Sequence, residues 1–555
     1  MTAATSASVD RRKNIENIYP LSPMQEGLLF HAVTAPEPGV YMPQVVLHLS
    51  GEVDARALEA AWRQAVARHS VLRSGFYWEE RDEPFQVVYR EAPLSWTALD
   101  WSGVDEPDHE AQLSALLAAN RAEAFDLRRP PLMRLQWIDG GAGRHSLVLA
   151  YHHLILDGWS ASQLVREAFQ LYLRETGMAV PSPAVLRPYA DYIAWLKHQD
   201  RGAAEAFWRN YLAGAEPARF LPETTAPAGF ARREWICPAP LAATLRRMCQ
   251  GLGITLNTLL QGALGLLIAN RTGSADVIFG ATSSGRPATL PGATDMIGLF
   301  INTLPVRVRI DAAQSLGTWL SALQASQSHA DQHAHLPLRV IQAERGALFD
   351  TLFVFESYPV STDIGGKASF RLASVQFDEW THFPLTLMAA EGGESLSLTA
   401  RYARNALDEA AIDQHLAALG RLLEQMASFP AATLDRFAGS VQTPLRTAPA
   451  RPETRTRRAE SGYSAPSTET EKILASAWAD VLKRPEPGID DHFFELGGHS
   501  LLAARVISRV RRELGLELPV KILFERPVLG ELATYIDALR AASGGPAAHH
   551  REIEI

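Results

Sequence analysis

Two short stretches of this 555-residue chain hold side chains whose types and spacing suit chemistry. The first runs from Tyr151 to Ser160 and contains the pattern HHxxxDG, formed by His152, His153, Asp157 and Gly158. A histidine of near-neutral pKa at a strand end, entering a turn closed by Asp-Gly, can hydrogen-bond a nucleophile or take its proton. Asp157 can fix that loop by pairing with an arginine from elsewhere in the chain. On these residues alone, two histidines beside a turn aspartate are more often structural or surface groups than catalytic ones. The second stretch, Asp491 to Leu501, reads DHFFELGGHSL. Gly497 and Gly498 allow a tight loop, and Ser500 then opens a helix striped by Leu502, Val506 and Val510, where its oxygen is exposed and close to backbone donors. A bare Gly-Gly-x-Ser is more often an ordinary helix cap.

The elements that must position these groups follow from periodicity. Leu147, Leu149 and Tyr151 alternate as in a strand, and a Gly-rich turn from Asp139 to Gly143 separates Ser146–His152 from Leu132–Ile138, which predicts an antiparallel pair ending at the two histidines. Asp54 caps a helix whose Leu58, Trp62, Ala65 and Val66 recur at helical spacing. From about Pro188 to Gln442 the mixed character repeats, with a helix over Leu256–Ala269, a strand over Asp276–Gly280 and a strand-like run over Phe300–Ile310. No fixed-period repeat is visible, and two α/β lobes, 15–180 and 181–442, are the simplest account. Residues 443–467 shift to Pro, Thr, Arg, Ser and Ala, a linker signature. Thr468 and Glu471 then have capping-box spacing before Ile473, Leu474, Ala477, Trp478, Val481 and Leu482 on one helical face. With helices over Leu501–Leu514 and Leu529–Leu539 they predict a small all-α domain over 468–540. Residues 1–14 and 541–555 read as flexible ends.

Composition narrows the function class. Hydrophobic residues at 47% and charged residues at 21% describe an ordinary globular chain, and its length calls for about three or four compact units. A net charge of -9 offers no basic field for a phosphate backbone, and the local cluster Arg451, Arg455, Arg457 and Arg458 does not change that, so no nucleic-acid partner is expected. Cys237 and Cys249 lack ligand spacing and metal-type companions, so they read as reduced thiols of a cytoplasmic protein, with no disulfide framework and no metal site. The first 14 residues have no apolar core of a secretion signal, and Leu256–Ala269 is too short and too interrupted for a membrane span. No membrane partner is expected.

From Ile15 to Gln442 the chain resembles condensation domains of non-ribosomal peptide synthetases at separated places in the right order. YPLSPMQEGLLFH over Tyr19–His31 is similar to the family's opening motif, and RHSVLRSGF over Arg68–Phe76 to its second, with Ser74 where threonine is more usual. The histidine motif follows, then YADYIAW over Tyr189–Trp195 and IGLFINTLPVR over Ile297–Arg307. Two later segments, His335–Leu338 and Leu348–Phe353, depart from the commonest family form, which bears on subtype. Thr468 to Leu539 resembles peptidyl carrier domains along its length, including LGGHSL over Leu496–Leu501 and LFERP over Leu523–Pro527.

The resemblance implies an α/β fold like chloramphenicol acetyltransferase, two lobes in a V with His153 midway along a tunnel between them, followed by a four-helix carrier bundle. It implies attack by an amine or a hydroxyl on a carrier-bound thioester, with His153 as base or as the group that orients the nucleophile, and His152 in support. Asp157 would hold the loop; Arg286, in Ser284-Gly-Arg-Pro287, is the candidate partner for it. Gly158 would permit a conformation or close approach that a side chain blocks. Ser500 would receive 4'-phosphopantetheine from coenzyme A through a phosphopantetheinyl transferase. No adenylation domain separates the two regions, so the carrier is expected to be loaded in trans, and the donor to arrive on a separate upstream carrier protein. The tail Arg551–Ile555 alternates acid with isoleucine, as a strand added to a downstream partner's sheet would, or as a disordered end would. The rival expectations are a non-catalytic docking scaffold, release onto a soluble nucleophile, an epimerization domain (which normally follows its carrier) and a coenzyme A-dependent acyltransferase. A heterocyclization domain would show aspartates in place of the two histidines.

Overall fold

The structure is a computed structural model, and it describes residues 13–34, 38–78, 83–216, 219–221, 229–343, 345–356, 369–392, 395–437, 464–482, 484–493, 496, 500–516, 518–519 and 522–542. The first 12 residues, the linker arginines and the alternating tail lie outside them. The chain divides into two compact units, one holding most residues up to 437 and the other those from 464 onward together with short stretches within 28–37 and 76–85.

In chain order the strands of the larger unit are β1 (Ile15–Pro20), β2 (Gln44–Gly51), β3 (Ser74–Tyr77), β4 (Phe85–Tyr89), β5 (Ser95–Asp100), β6 (Met133–Asp139), β7 (Arg144–Tyr151), β8 (Phe230–Cys237), β9 (Asp276–Ser283), β10 (Asn302–Arg309), β11 (Thr351–Glu356), β12 (Phe370–Asp378), β13 (Leu385–Gly392) and β14 (Ser395–Ala403). They form a five-stranded sheet in the order β12-β2-β7-β6-β5, a six-stranded sheet in the order β10-β9-β11-β13-β14-β8, and a small sheet of β1, β4 and β3. The expected hairpin is present: β6 and β7 pair antiparallel with Leu135 opposite Leu149, and β7 ends at Tyr151. Its last six residues are all buried, as in a strand covered on both faces. The helix Ala55–Arg68 is capped by Asp54, which accepts from the amides of Arg56 and Ala57; it buries Leu58, Trp62, Ala65 and Val66 and packs on the helix Gly158–Glu175.

One strand corrects the expected lobe boundary. Phe370–Asp378 falls in the stretch assigned to the second lobe, 181–442, yet it pairs antiparallel with β2 of the first, with Val375 opposite Leu47 and Phe377 opposite Val45. Packing explains the crossing. Phe370 is buried, stacks on Phe169 with ring centroids 5.6 Å apart and meets Tyr172 edge-on at 5.5 Å. The pairing also satisfies the backbone groups along the edge of β2. Residues 379–384 then return the chain to β13 in the other sheet.

The second sheet is backed by the helix Leu256–Thr272, buried continuously from Thr258 to Ala269, which is the core-helix role its composition predicts. Among the described residues no single helix is long and apolar enough to cross a membrane.

The smaller unit contains the helices Glu469–Leu482, Ser500–Leu514, Ile522–Glu525 and Leu529–Ala542. Leu474, Trp478, Val506, Ile507, Val510, Leu532 and Ile536 fill its core, and Phe493 meets Trp478 edge-on at 5.0 Å. The capping box is formed at both ends: the Glu471 amide donates to Thr468 Oγ1 at 3.1 Å, and the Thr468 amide donates to the Glu471 carboxylate at 2.9 Å. Removing one side of it, in Thr468→Ala, is expected to lower the unfolding free energy of this unit by about 1 kcal/mol in a urea titration followed by Trp478 fluorescence.

Candidate functional site

The histidine loop is fixed backbone first. The amide of His152 donates to the Leu132 carbonyl and that of His153 to the Tyr41 carbonyl, both at 2.9 Å. Tyr41 itself adopts a left-handed backbone, φ 58°, rare outside glycine. It is held there by its own amide bond to the Trp380 carbonyl at 2.9 Å.

The two imidazoles then have different fates. His152 Nδ1 accepts from the Leu154 amide at 3.1 Å, so its proton sits on Nε2; burial, reinforced by the neighbouring His153, pushes its pKa down to about 3. It is a neutral structural ring. His153 Nδ1 donates to the Leu156 carbonyl at 2.8 Å, which turns Nε2 toward a cavity. There Nε2 lies 2.6 Å from the carboxylate of Glu379. Burial pulls the His153 pKa down, but the Glu379 carboxylate, together with the Leu156 carbonyl and the charge of Asp157, more than offsets it and the net shift is upward; burial pushes Glu379 up, and His153, helped by the charge of Arg401, brings it below its ordinary value. Both directions describe an imidazolium–carboxylate pair.

Asp157 anchors the far end of the loop with no solvent exposure. Its carboxylate caps the helix Gly158–Glu175 by accepting from the Ser160 amide at 2.7 Å, accepts from the Phe300 amide at 3.0 Å, and meets Arg286 at 3.3 Å. Arg286 reaches it with further bonds to Ser160 Oγ and the carbonyls of Ala293 and Met296, its guanidinium 4.1 Å above the Phe300 ring. The glycine before it is required: Gly285 has φ 59°, and a Cβ there would stand 1.7 Å from the Phe300 carbonyl oxygen. Of the two expected reasons for glycine at position 158, an unusual backbone conformation does not apply, because Gly158 is the first residue of its helix.

The cavity at His153 has a volume of about 40 Å³ and is lined by Met24, Tyr41, Thr303, Leu352, Val354, Glu379 and Met388 among others. Its floor is one face of the six-stranded sheet, because Leu352, Val354 and Glu356 alternate onto the same side of β11 and pair with Thr386, Met388 and Ala390 of β13. Glu356 is partly buried with its Oε1 atom lacking a hydrogen-bond partner, and burial, followed by the charge of Glu379, raises its pKa to about 7. A larger cleft of about 310 Å³, among Asn257, Gln261, Ser283, Gln327 and Asp331, holds neither the HHxxxDG side chains nor Arg286.

His152, His153, Asp157, Gly158 and Arg286 therefore converge. Glu379, Glu356 and Tyr41 belong to the same site and carry no motif signal; the only hint in the sequence is a charged residue where Leu352 and Val354 set an apolar alternation. Ser500 is the first residue of the helix Ser500–Leu514 in the other unit, whose Ala503, Val506, Ile507 and Val510 dock into the core. Its side chain and residues 497–499 lie outside the described residues. Among the described residues no group of three or more His, Cys, Asp or Glu is arranged to hold a metal ion.

Two measurements follow. Asp157→Ala strands the Arg286 guanidinium, 6% exposed, and is expected to cost about 3–5 kcal/mol in denaturant unfolding, with less than additive loss in Asp157→Ala/Arg286→Ala. In an NMR titration of labelled histidine, His153 is expected to titrate above ~6.5 and to shift downward in Glu379→Gln, which removes its largest upward influence, while His152 stays neutral across the range. The sign for stability follows: the contribution of a raised histidine is fully present below the unfolded value and fades as pH rises through the folded one. The lowered value of Glu379 sets the acid limit.

The profile of the family described as "Condensation domain" matches residues 15–439, and that of "Phosphopantetheine attachment site" matches 472–536. A linear gramicidin synthase polypeptide of Brevibacillus parabrevis is 35% identical over 443 residues, covering 77% of this chain and 6% of that protein. Chondramide synthase of Chondromyces crocatus is 34% identical over 437 residues, 69% of this chain and 11% of its own length. The chain thus spans a small fraction of these curated relatives. Among solved structures, the first condensation domain of the calcium-dependent antibiotic synthetase superposes with a TM-score of 0.65 at 21% identity, over 76% of this chain and 99% of that one. The condensation domain of the monacolin K polyketide synthase gives the same score at 19% identity, over 76% and 100%. At those identities the superpositions speak for the fold.

Proposed function

Because the chain belongs to the condensation-domain family and continues into a phosphopantetheine attachment domain, we propose that it joins an acceptor nucleophile to a carrier-bound acyl donor, forming an amide or an ester. The observation that supports this most directly is the orientation of His153: with Nδ1 held by the Leu156 carbonyl, Nε2 is the atom presented to the cavity. In the proposed reaction a bond forms between the nucleophile and the donor carbonyl carbon, the carbon–sulfur bond breaks, and the nucleophile's proton passes by way of Nε2 toward the departing sulfur. His153 holds the nucleophile in line and takes that proton; His152, neutral, keeps the loop in shape. Asp157 and Arg286 hold the loop and do not touch the reacting atoms.

4'-Phosphopantetheine on Ser500 supplies a thiol on a long arm, which holds acyl groups in activated form. The residues present suit that attachment: Ser500 heads a helix whose docked face fixes its position in the bundle. Only residues 440–471 separate the two family matches, too few for an adenylation domain, so we propose loading by an adenylation enzyme in trans, after modification by a phosphopantetheinyl transferase. The donor is proposed to come on an upstream carrier protein, and the product to pass to a downstream synthetase or release enzyme, in the cytoplasm.

Single-turnover condensation with loaded donor carriers tests the reading. His153→Ala is expected to slow product formation by about 10² to 10⁴, and Ser500→Ala to lose the phosphopantetheine mass increment in intact-protein mass spectrometry. A His153→Ala chain that condenses at the unaltered rate would leave a scaffold role instead.

A further inference from the structure

His153 can orient a nucleophile or accept its proton only when Nε2 is unprotonated and vacant, and here Nε2 is taken by Glu379 at 2.6 Å. Freeing it deprives a buried carboxylate of its cation. Among the surrounding charges, Arg401 favours the Glu379 carboxylate but makes no ion pair with it. Asp378, next to Glu379, is met by Arg121 and by Arg401. Arg401 also donates to the backbone carbonyls of Phe377 and Glu379 and lies 5.6 Å over the Trp380 ring, so its charge supports this segment without pairing with the Glu379 carboxylate. Arg232, opposite Arg401 across the β8–β14 pair, is exposed to solvent. Glu356 adds a second carboxyl on the cavity side, and Tyr41, whose hydroxyl bonds to His382, brings no charge. Within the described residues, the one ion pair of the Glu379 carboxylate is with His153.

We propose that Glu379 is the anion that receives the acceptor's ammonium group, exchanging the His153 imidazolium for it when the acceptor enters. The proton balance closes: the imidazolium gives its Nε2 proton to water, the ammonium takes its place beside the carboxylate, and one ammonium proton then passes to the vacated Nε2. The charge of the site is the same before and after. The exchange needs only a side-chain rotation, because the backbone next to Glu379 is pinned by the Tyr41 amide on the Trp380 carbonyl. In the resting site the same pair keeps Nε2 covered.

The inference rests on the reading of His153 as the condensing histidine, and the two can fail separately. The probes are alanyl-pantetheine amide and lactyl-pantetheine amide, alike except for an ammonium in place of a hydroxyl, titrated at neutral pH into the full chain with labelled histidine and followed at the His153 ring signal. In the wild type the alanyl probe is expected to saturate at about tenfold lower concentration than the lactyl one. In Glu379→Gln, which keeps the shape and removes the charge, the two should converge to within about twofold. Equal binding of the two by the wild type, a preference that survives in Glu379→Gln, or no response at His153 to either probe overturns the proposal. The wild-type ratio decides it even if the variant does not fold. A His153→Ala chain that condenses normally overturns the functional reading instead.

Discussion

The carboxylate of Asp157, with no exposure to solvent, is the constraint on which the site depends. It takes bonds from one end of its own loop, at Ser160, and from the segment that leads into β10, at Phe300, while Arg286 supplies the opposing charge. A buried carboxylate is tolerable only when its acceptor positions are filled, so the loop, the 298–300 segment and the Gly285–Arg286 turn are held together or not at all. Leu156 precedes Asp157 directly, and its carbonyl fixes His153 Nδ1. The aim of His153 Nε2 is thus set by a carboxylate that never meets it.

The second constraint is the crossing of β12. A strand contributed late in the chain completes the sheet that ends at the histidines, and its return to the other sheet carries Glu379 to His153. His153 and the carboxylate that balances its charge therefore stand just past the ends of two strands of one sheet, β7 and β12, and the bond between them spans 226 positions of sequence. The apolar contacts of Phe370 with Phe169 and Tyr172 fix the crossing without polar groups.

This explains what was legible in the sequence. The HHxxxDG loop could be read because its geometry is local: strand, turn and helix cap lie within Arg144–Glu175, and each leaves its own residue signature. The Thr468–Glu471 capping box and the helix headed by Ser500 were legible for the same reason. Arg286 was legible only through the family resemblance, as the candidate partner for Asp157. β12 was misplaced because alternation of Phe370 and Leu372 says that a strand has a buried face and says nothing about which sheet receives it. Glu379 was missed because it belongs to no periodic element and its partner is distant in the chain.

Burial alone would have made the two adjacent histidines alike. Both are nearly inaccessible, and in both desolvation opposes the charged form. What separates them is which nitrogen the backbone occupies. In His152 a peptide amide takes Nδ1 as acceptor and forces the neutral ring; in His153 a carbonyl takes the Nδ1 proton and leaves Nε2 to a carboxylate, which restores the charge. A one-residue step along the chain turns the same side chain from a loop brace into a titrating group. The doubled histidine is in this sense one structural and one chemical residue, and the division of labour is made by the peptide groups of Leu154 and Leu156.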